Sequence, residues 1–243
     1  MDKSNTIRYF NDLADRRLHW KKKNRYYHSY LEKYYSFIIP AKSRVLEIGS
    51  GTGELLNAVK PSYGVGIDFS EKMVEIASEQ FPELTFLVQD AEELKIEEKF
   101  DYIILSDLIS TVWDVQKVFS NLTKASTSKT KIILNFHNYL WEPILKSGEI
   151  FGIKAKNIIS NWLTYEDVRN LCELEGFEVI RKVRKILIPK RIPIANGIFN
   201  SFLSNLPIIN SLSLICFITI QKKIETNEER SVSIVIPARN EKG

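Results

Sequence analysis

Three acidic residues, Glu47, Asp68 and Asp90, each stand within two residues of the carboxyl end of a short apolar run. Three glycines at alternating positions, Gly49, Gly51 and Gly53, follow the first of them. Glycines so placed let the main chain take positive φ and approach a ligand more closely than any Cβ would allow. Carboxylates around such a loop accept hydrogen bonds from hydroxyl and amino groups and favour positive charge. The chemistry implied is the holding of a nucleoside-like ligand that carries cationic groups.

The flanking residues narrow the ligand. A G-x-G-x-x-G phosphate loop would place its third glycine at position 54, where this chain has Glu54, an anion at a helix start that disfavours a pyrophosphate. Asp68 ends the run YGVGID, 21 positions after Glu47, close to the spacing at which α/β folds set a carboxylate on ribose hydroxyls. The pattern E-x-G-x-G-x-G from Glu47 to Gly53 resembles the first motif of class I S-adenosylmethionine-dependent methyltransferases. That resemblance covers about residues 41 to 223 and implies a Rossmann-like α/β fold, a seven-stranded and mostly parallel sheet with helices on both faces. It implies S-adenosylmethionine as cofactor, with Glu47, Gly49, Ser50, Gly51 and Gly53 in the first motif and Asp68 with Phe69 at the ribose. Met73, Asp90 and Ala91 would lie toward the adenine, and Ser106, Asp107 and Leu108 at the junction of methyl donor and acceptor. No metal is required.

The elements that would position these residues can be read in order. Thr6 to Ile39 lacks Gly and Pro and reads as helix in two pieces, with Tyr27, Leu31, Tyr34 and Ile38 on one apolar stripe. This stripe would cross the start of the sheet or the cofactor cleft, which makes Tyr27 and His28 candidate substrate contacts. Arg16 to Arg25 holds six Lys or Arg and no acid; it is either a solvated face or a basic surface for an anionic lipid or phosphorylated substrate. After Pro40, strands at 44–48, 63–68 and 84–90 alternate with helices from Glu54 and Ser70, as parallel βα units do. A fourth strand, 100–107, is followed by a helix capped by Asp114, and a fifth occupies 131–136. His137 follows it and is the general-base candidate, with Asp107 the second catalytic candidate; Asn138, Tyr139 and Trp141 sit where an acceptor would enter.

Thr164 and Asp167 make a capping box for a late helix that stops at Gly176, and a strand from Phe177 to Val183 or beyond follows. The 29 residues from Ile192 to Ile220 carry no charge, but Pro193, Gly197 and Pro207 interrupt them, against a spanning helix. Ala195 to Leu206 is expected to form an inserted amphipathic helix over the acceptor site and Leu212 to Ile220 the seventh strand. The basic residues before this segment, Arg181 to Arg191, leave open a peripheral membrane contact at an anionic surface. Beyond a polar linker from Glu225, the run VSIVIPARNE resembles the opening strand of family 2 glycosyltransferases. The division expected is therefore N-terminal helices at 1–40, the methyltransferase domain at 41–224, and linker plus the first strand of a covalently linked glycosyltransferase at 225–243.

Composition bounds the function class. With 243 residues, 44% hydrophobic and net charge +4, one α/β core is affordable and no strong polyanion-binding bias is present. Cys172 and Cys216 lack metal-ligand spacing, and no secretory segment is visible, so a cytoplasmic protein is expected, at most at the inner face of the membrane. The (D/N)PP(Y/F) signature is absent, which counts against nucleic-acid substrates. What the residues and the two resemblances together imply is O-methylation of a small molecule, a sugar or a polyprenyl-linked saccharide. A non-catalytic domain that binds the cofactor or positions the glycosyltransferase, and a nucleotide-dependent oxidoreductase, are the alternatives.

Overall fold

The computed structural model describes residues 3–156, 159–190, 192, 199–200, 204 and 206–224. Seven strands form one sheet: β1 (Arg44–Ile48), β2 (Tyr63–Asp68), β3 (Thr85–Val88), β4 (Tyr102–Ser106), β5 (Lys131–His137), β6 (Phe177–Lys185) and β7 (Ile215–Lys222). Their order is β3-β2-β1-β4-β5-β7-β6. β1 to β5 are parallel, while β7 runs antiparallel between β5 and β6. The chain reverses between β1 and β4, where successive connections leave on opposite sides, and an open sheet forms its ligand crevice at the carboxyl ends of such strands.

Side chains of successive strand residues point to opposite faces, so a run that is apolar throughout demands cover on both. On one face Leu46, Ile103, Leu105, Ile132 and Leu134 pack with Val118, Phe119 and Leu122 of α5 (Val115–Ala125) and with Val168 and Cys172 of α7 (Tyr165–Leu174). On the other, Val45, Ile104, Ile133 and Phe217 meet α2 (Arg25–Ile38), α3 (Glu54–Ala58) and α4 (Glu71–Gln80). α5 starts where the Asp114 carboxylate accepts the Lys117 amide, and α7 where Thr164 and Asp167 satisfy each other's amides in the expected box.

The N-terminal helices do break in two, α1 (Lys3–Lys23) and α2, at Asn24, whose amide and side-chain amide both turn back to the Trp20 carbonyl. The buried stripe of α2 is Tyr27, Leu31 and Tyr35, so it is rotated from the expected line; Tyr34 and Ile38 lie at its half-buried margin. The reason is that Tyr35 finds a buried partner, its hydroxyl donating to Asn135 Oδ1 at 2.7 Å, while Tyr34 covers the Phe217 ring. The last strand begins at Ile215, later than expected, because α8 (Pro207–Asn210) and the turn behind it occupy the approach. Residues 195–198, 201–203, 205 and 225–243, on which the expected inserted helix largely falls and the glycosyltransferase-like strand wholly falls, lie outside the described residues.

Candidate functional site

The glycine loop joins β1 to α3 and is tied to β2: the amides of Gly49 and Ser50 both donate to the Ile67 carbonyl, at 2.8 and 2.9 Å. Gly49 has φ +75° and a Cβ there would stand 2.8 Å from Leu108 Cδ1; Gly53 has φ +82° and its Cβ would stand 2.6 Å from the Phe86 ring. Both positions thus exclude side chains by conformation and by space. Gly53→Ala should cost roughly 2–4 kcal/mol, a left-handed penalty plus forced displacement of a core ring, read as a lowered urea midpoint.

The three carboxylates stand at the carboxyl ends of β1, β2 and β3. Asp68 is buried; its Oδ2 accepts the Gly51 amide and its Oδ1 the Ser70 amide, each at 2.9 Å. Burial raises its pKa, while those two amides and the Arg17 charge oppose the rise. Ser70 caps α4 at the amide of Met73, a residue that is itself buried. Glu47 is buried beneath the loop with no hydrogen-bond partner for Oε2 among the described residues. Burial pushes its carboxyl up to about 8, against the pull of Lys21 and with the help of Glu54. Asp90 accepts the Glu92 amide at 2.8 Å and pairs with Lys3, and Ala91 beside it is buried. Glu92 in turn accepts the Trp113 amide at 2.8 Å, which fastens the loop after β4 to this corner.

α1 lies across all of these groups. Lys3 takes Asp90, Asn11 accepts the Ser70 hydroxyl at 2.6 Å, and Phe10 meets the Phe69 ring edge to face at 5.1 Å. Lys21 pairs with Glu54 and donates to Thr52 Oγ1 at 3.3 Å. Burial works to raise the Glu54 carboxyl, but Lys21 and Thr52 outweigh it and hold it below its ordinary value. The anion at position 54 is therefore offset by the helix that covers it.

A second polar cluster sits where β4 and β5 end. Asp107 has φ +56°, and its carboxylate accepts the Tyr27 hydroxyl at 2.8 Å on both oxygens and Asn135 Nδ2 at 2.6 Å. Asn135 is fully buried and is itself held by Tyr35, so a chain of donors runs Tyr35, Asn135, Asp107, with Tyr27 closing it from the other side. Ser106 and Leu108 flank Asp107, and Leu108 is the residue packed against Gly49, which connects this cluster to the loop.

His137 stacks on Tyr27 at 5.7 Å, and His28 meets the same ring edge to face at 5.3 Å. Burial lowers the His137 pKa, with Asp107 opposing and Lys154 adding to the fall. Burial, then Arg17 and Lys21, push His28 down to about 3. Both imidazoles are thereby weaker bases than their type suggests, a result of burial that residue identity does not reveal.

The acceptor-side candidates are divided. Asn138 spends its side chain on the main chain, donating to the Ser211 and Ser213 carbonyls at 2.7 and 3.0 Å and accepting the Leu140 amide at 3.2 Å. Trp141 Nε1 donates to the Leu212 carbonyl at 2.8 Å, so both residues hold the approach to β7; Tyr139 between them is exposed. Among the described residues no three His, Cys, Asp or Glu side chains converge as a metal site would need. Residues that sequence reasoning left out are Arg17, Tyr35 and Asn135. The usable signal was that Arg17 and Lys21 are four apart and share a helix face.

Residues 45–128 match the family model described as "Methyltransferase domain". The malonyl-[acyl-carrier protein] O-methyltransferase of Bacillus cereus is 36% identical over 88 residues, 34% of this chain and 33% of that protein. The chain spans about a third of the length of the curated relatives it matches first. A solved Thermotoga maritima methyltransferase, described as a possible histamine N-methyltransferase, superposes with a TM-score of 0.68 at 17% identity, covering 88% of this chain and 98% of that one. The magnesium protoporphyrin IX methyltransferase of Synechocystis, solved with bound S-adenosylhomocysteine, gives 0.63 at 20% identity, with 91% and 100% covered. By strand order and by these structural likenesses the chain has the class I S-adenosylmethionine-dependent methyltransferase fold, and residues 45–128 within it are similar to the methyltransferase-domain family.

Proposed function

We propose that the chain transfers a methyl group from S-adenosylmethionine to an oxygen atom of a small-molecule acceptor. The observation that carries this reading is the glycine loop set over Glu47, a buried carboxyl with an unpartnered Oε2, and beside Asp68. An orphaned buried acceptor next to backbone that tolerates no Cβ fits a ligand rich in amino and hydroxyl donors. When bound, the donor supplies an electrophilic sulfonium methyl for in-line displacement. The chain's own residues would hold the two reactants together and exclude water. Asp107, fixed by Tyr27 and Asn135, orients groups at the junction, and the two weakened imidazoles favour positioning over strong base catalysis.

The finer acceptor reading is a saccharide or polyprenyl-linked saccharide, and its support is the resemblance of residues 231–241 to a glycosyltransferase strand. Exposed Ile150 and Phe151, beside a Lys23 that donates to the Gly152 carbonyl, support contact of that face with an anionic membrane surface. No helix among the described residues is long and apolar enough to cross a membrane.

Calorimetric titration with S-adenosylmethionine, S-adenosylhomocysteine and NAD is the first test. Binding of NAD alone would replace this reading with the oxidoreductase one. Radiolabelled donor incubated with fractionated cell extract then identifies the acceptor, and absence of transfer to every fraction would leave a non-catalytic binding domain. With the acceptor in hand, Asp107→Asn should lower kcat roughly 10- to 100-fold while donor affinity holds, because the carboxylate that organises the junction is lost.

A further inference from the structure

The proposed donor is an amino acid as well as a nucleoside. It brings an α-carboxylate in addition to its cationic groups; Asp68, together with Glu47 once ionised, would repel that anion, while Glu54 and Asp90 are offset by Lys21 and Lys3. A site that binds the whole molecule therefore needs a positive side chain among these acids, and residues 45–59, 63–70, 85–93 and 102–114, which form the strands and loops around them, contain no Lys or Arg. α1 does. The Arg17 guanidinium reaches over the glycine loop, so that a Cβ on Gly51 would stand 3.6 Å from Nη2 and 3.9 Å from Nε.

Two further observations mark Arg17 as unspent. Its Nε is buried and has no hydrogen-bond partner among the described residues. It also takes no part in any ion pair among them, whereas its neighbour on the same helix face, Lys21, is taken by Glu54. A buried donor without an acceptor is costly to leave, and an incoming carboxylate would relieve that cost. The guanidinium is moreover the cation best shaped for a carboxylate, since its planar fork can give two parallel hydrogen bonds. His28 is no rival for the role, because it is held neutral by burial and by the Arg17 and Lys21 charges themselves.

We infer that Arg17 binds the α-carboxylate of the methyl donor, which makes α1 a wall of the cofactor site and not merely its cover. The inference rests on the donor reading above. It follows that donor binding and docking of α1 are coupled: the contacts of Lys3, Asn11 and Phe10 hold the helix in register, and the carboxylate adds another tie near its carboxyl end.

The test separates head group from nucleoside. Wild type, Arg17→Gln and Arg17→Lys are titrated calorimetrically with S-adenosylhomocysteine and with 5′-methylthioadenosine, which has the same nucleoside but no amino-acid head. Arg17→Gln should weaken S-adenosylhomocysteine roughly 10- to 100-fold and leave 5′-methylthioadenosine within about twofold, with Arg17→Lys recovering part of the loss. In hydrogen exchange, the α1 amides of wild type should gain protection with S-adenosylhomocysteine and much less with 5′-methylthioadenosine. Equal losses for both ligands would reveal a purely structural residue and overturn the inference, as would unchanged S-adenosylhomocysteine binding in Arg17→Gln. Failure of wild type to bind either nucleoside is a different result: it overturns the donor reading itself, and this one with it.

Discussion

Asp68→Ala should abolish donor binding, weakening S-adenosylhomocysteine by at least about 100-fold, and should also lower folding stability by roughly 2–4 kcal/mol. Both effects come from one carboxylate in two employments. It accepts the amides of Gly51 and Ser70 at 2.9 Å each, and through Ser70 it steadies the start of α4. Removing it leaves two buried N–H groups without an acceptor, and each such loss costs about 1–3 kcal/mol. The proposed role toward ribose hydroxyls adds charge-assisted hydrogen bonds that an alanine cannot make. Asp68→Asn separates the two employments, since its one remaining carbonyl oxygen accepts one main-chain amide while its side-chain NH2 presents donors to the other partners. That variant should recover part of the urea midpoint and little of the affinity. Donor binding by Asp68→Ala at near wild-type strength would place the ribose elsewhere and dismantle the site described above.

Glu47→Gln should behave in the opposite way, gaining stability while losing ligand. In the folded chain burial holds the carboxyl at about 8, against an ordinary value of 4.5. Between those two values the unfolded chain has released the proton that the folded chain keeps, so the native state binds more protons and stability falls as pH rises. The fall begins near pH 4.5, is complete near pH 8, and amounts to a few kcal/mol at about 1.4 kcal/mol per unit. Glutamine cannot ionise and escapes it. The variant should therefore exceed wild type by roughly 2–4 kcal/mol at pH 8 and by less than about 1 kcal/mol at pH 5, the new amide protons holding the gain to this range. Urea unfolding at the two pH values decides it; a constant difference would mean that Glu47 titrates normally. A cationic donor group beside Glu47 favours the ionised form, so wild-type affinity should rise with pH through the range 6 to 8. That dependence should vanish in Glu47→Gln together with most of the affinity. An acid kept where it destabilises the fold is intelligible as a binding group.

The strand, loop and helix around Gly49, Gly51 and Gly53 were legible because they are local: a short apolar run, residues that permit positive φ, and a helical pattern follow one another within fifteen positions. The same holds for Asp68 and Asp90, since the alternation of strands and helices places successive strand ends along one edge of a parallel sheet. Asp114 and Thr164 as helix caps were readable for the same reason, each acting on an amide three residues away.

Contacts between segments distant in the chain were not legible. Hydrophobic periodicity says that α2 has a buried face, but whether Tyr34 or Tyr35 goes deepest was decided by Asn135, 100 residues further on. The basic run at 16–25 could be read as a solvated face or an anionic-surface patch, and the fold instead turned Arg17 and Lys21 inward over the glycine loop. Charge strength followed the same rule, because the values near 8 for Glu47 and near 3 for His28 are set by burial and by neighbours that only packing brings close. The sequence by itself determined the sheet, the loop and the carboxylates on its edge, through interactions a few residues in range. Which helix covers them, and which of its cations is paired with an acid and which is not, was decided only when the tertiary structure closed, because burial and charge pairing depend on distance in space and not along the chain.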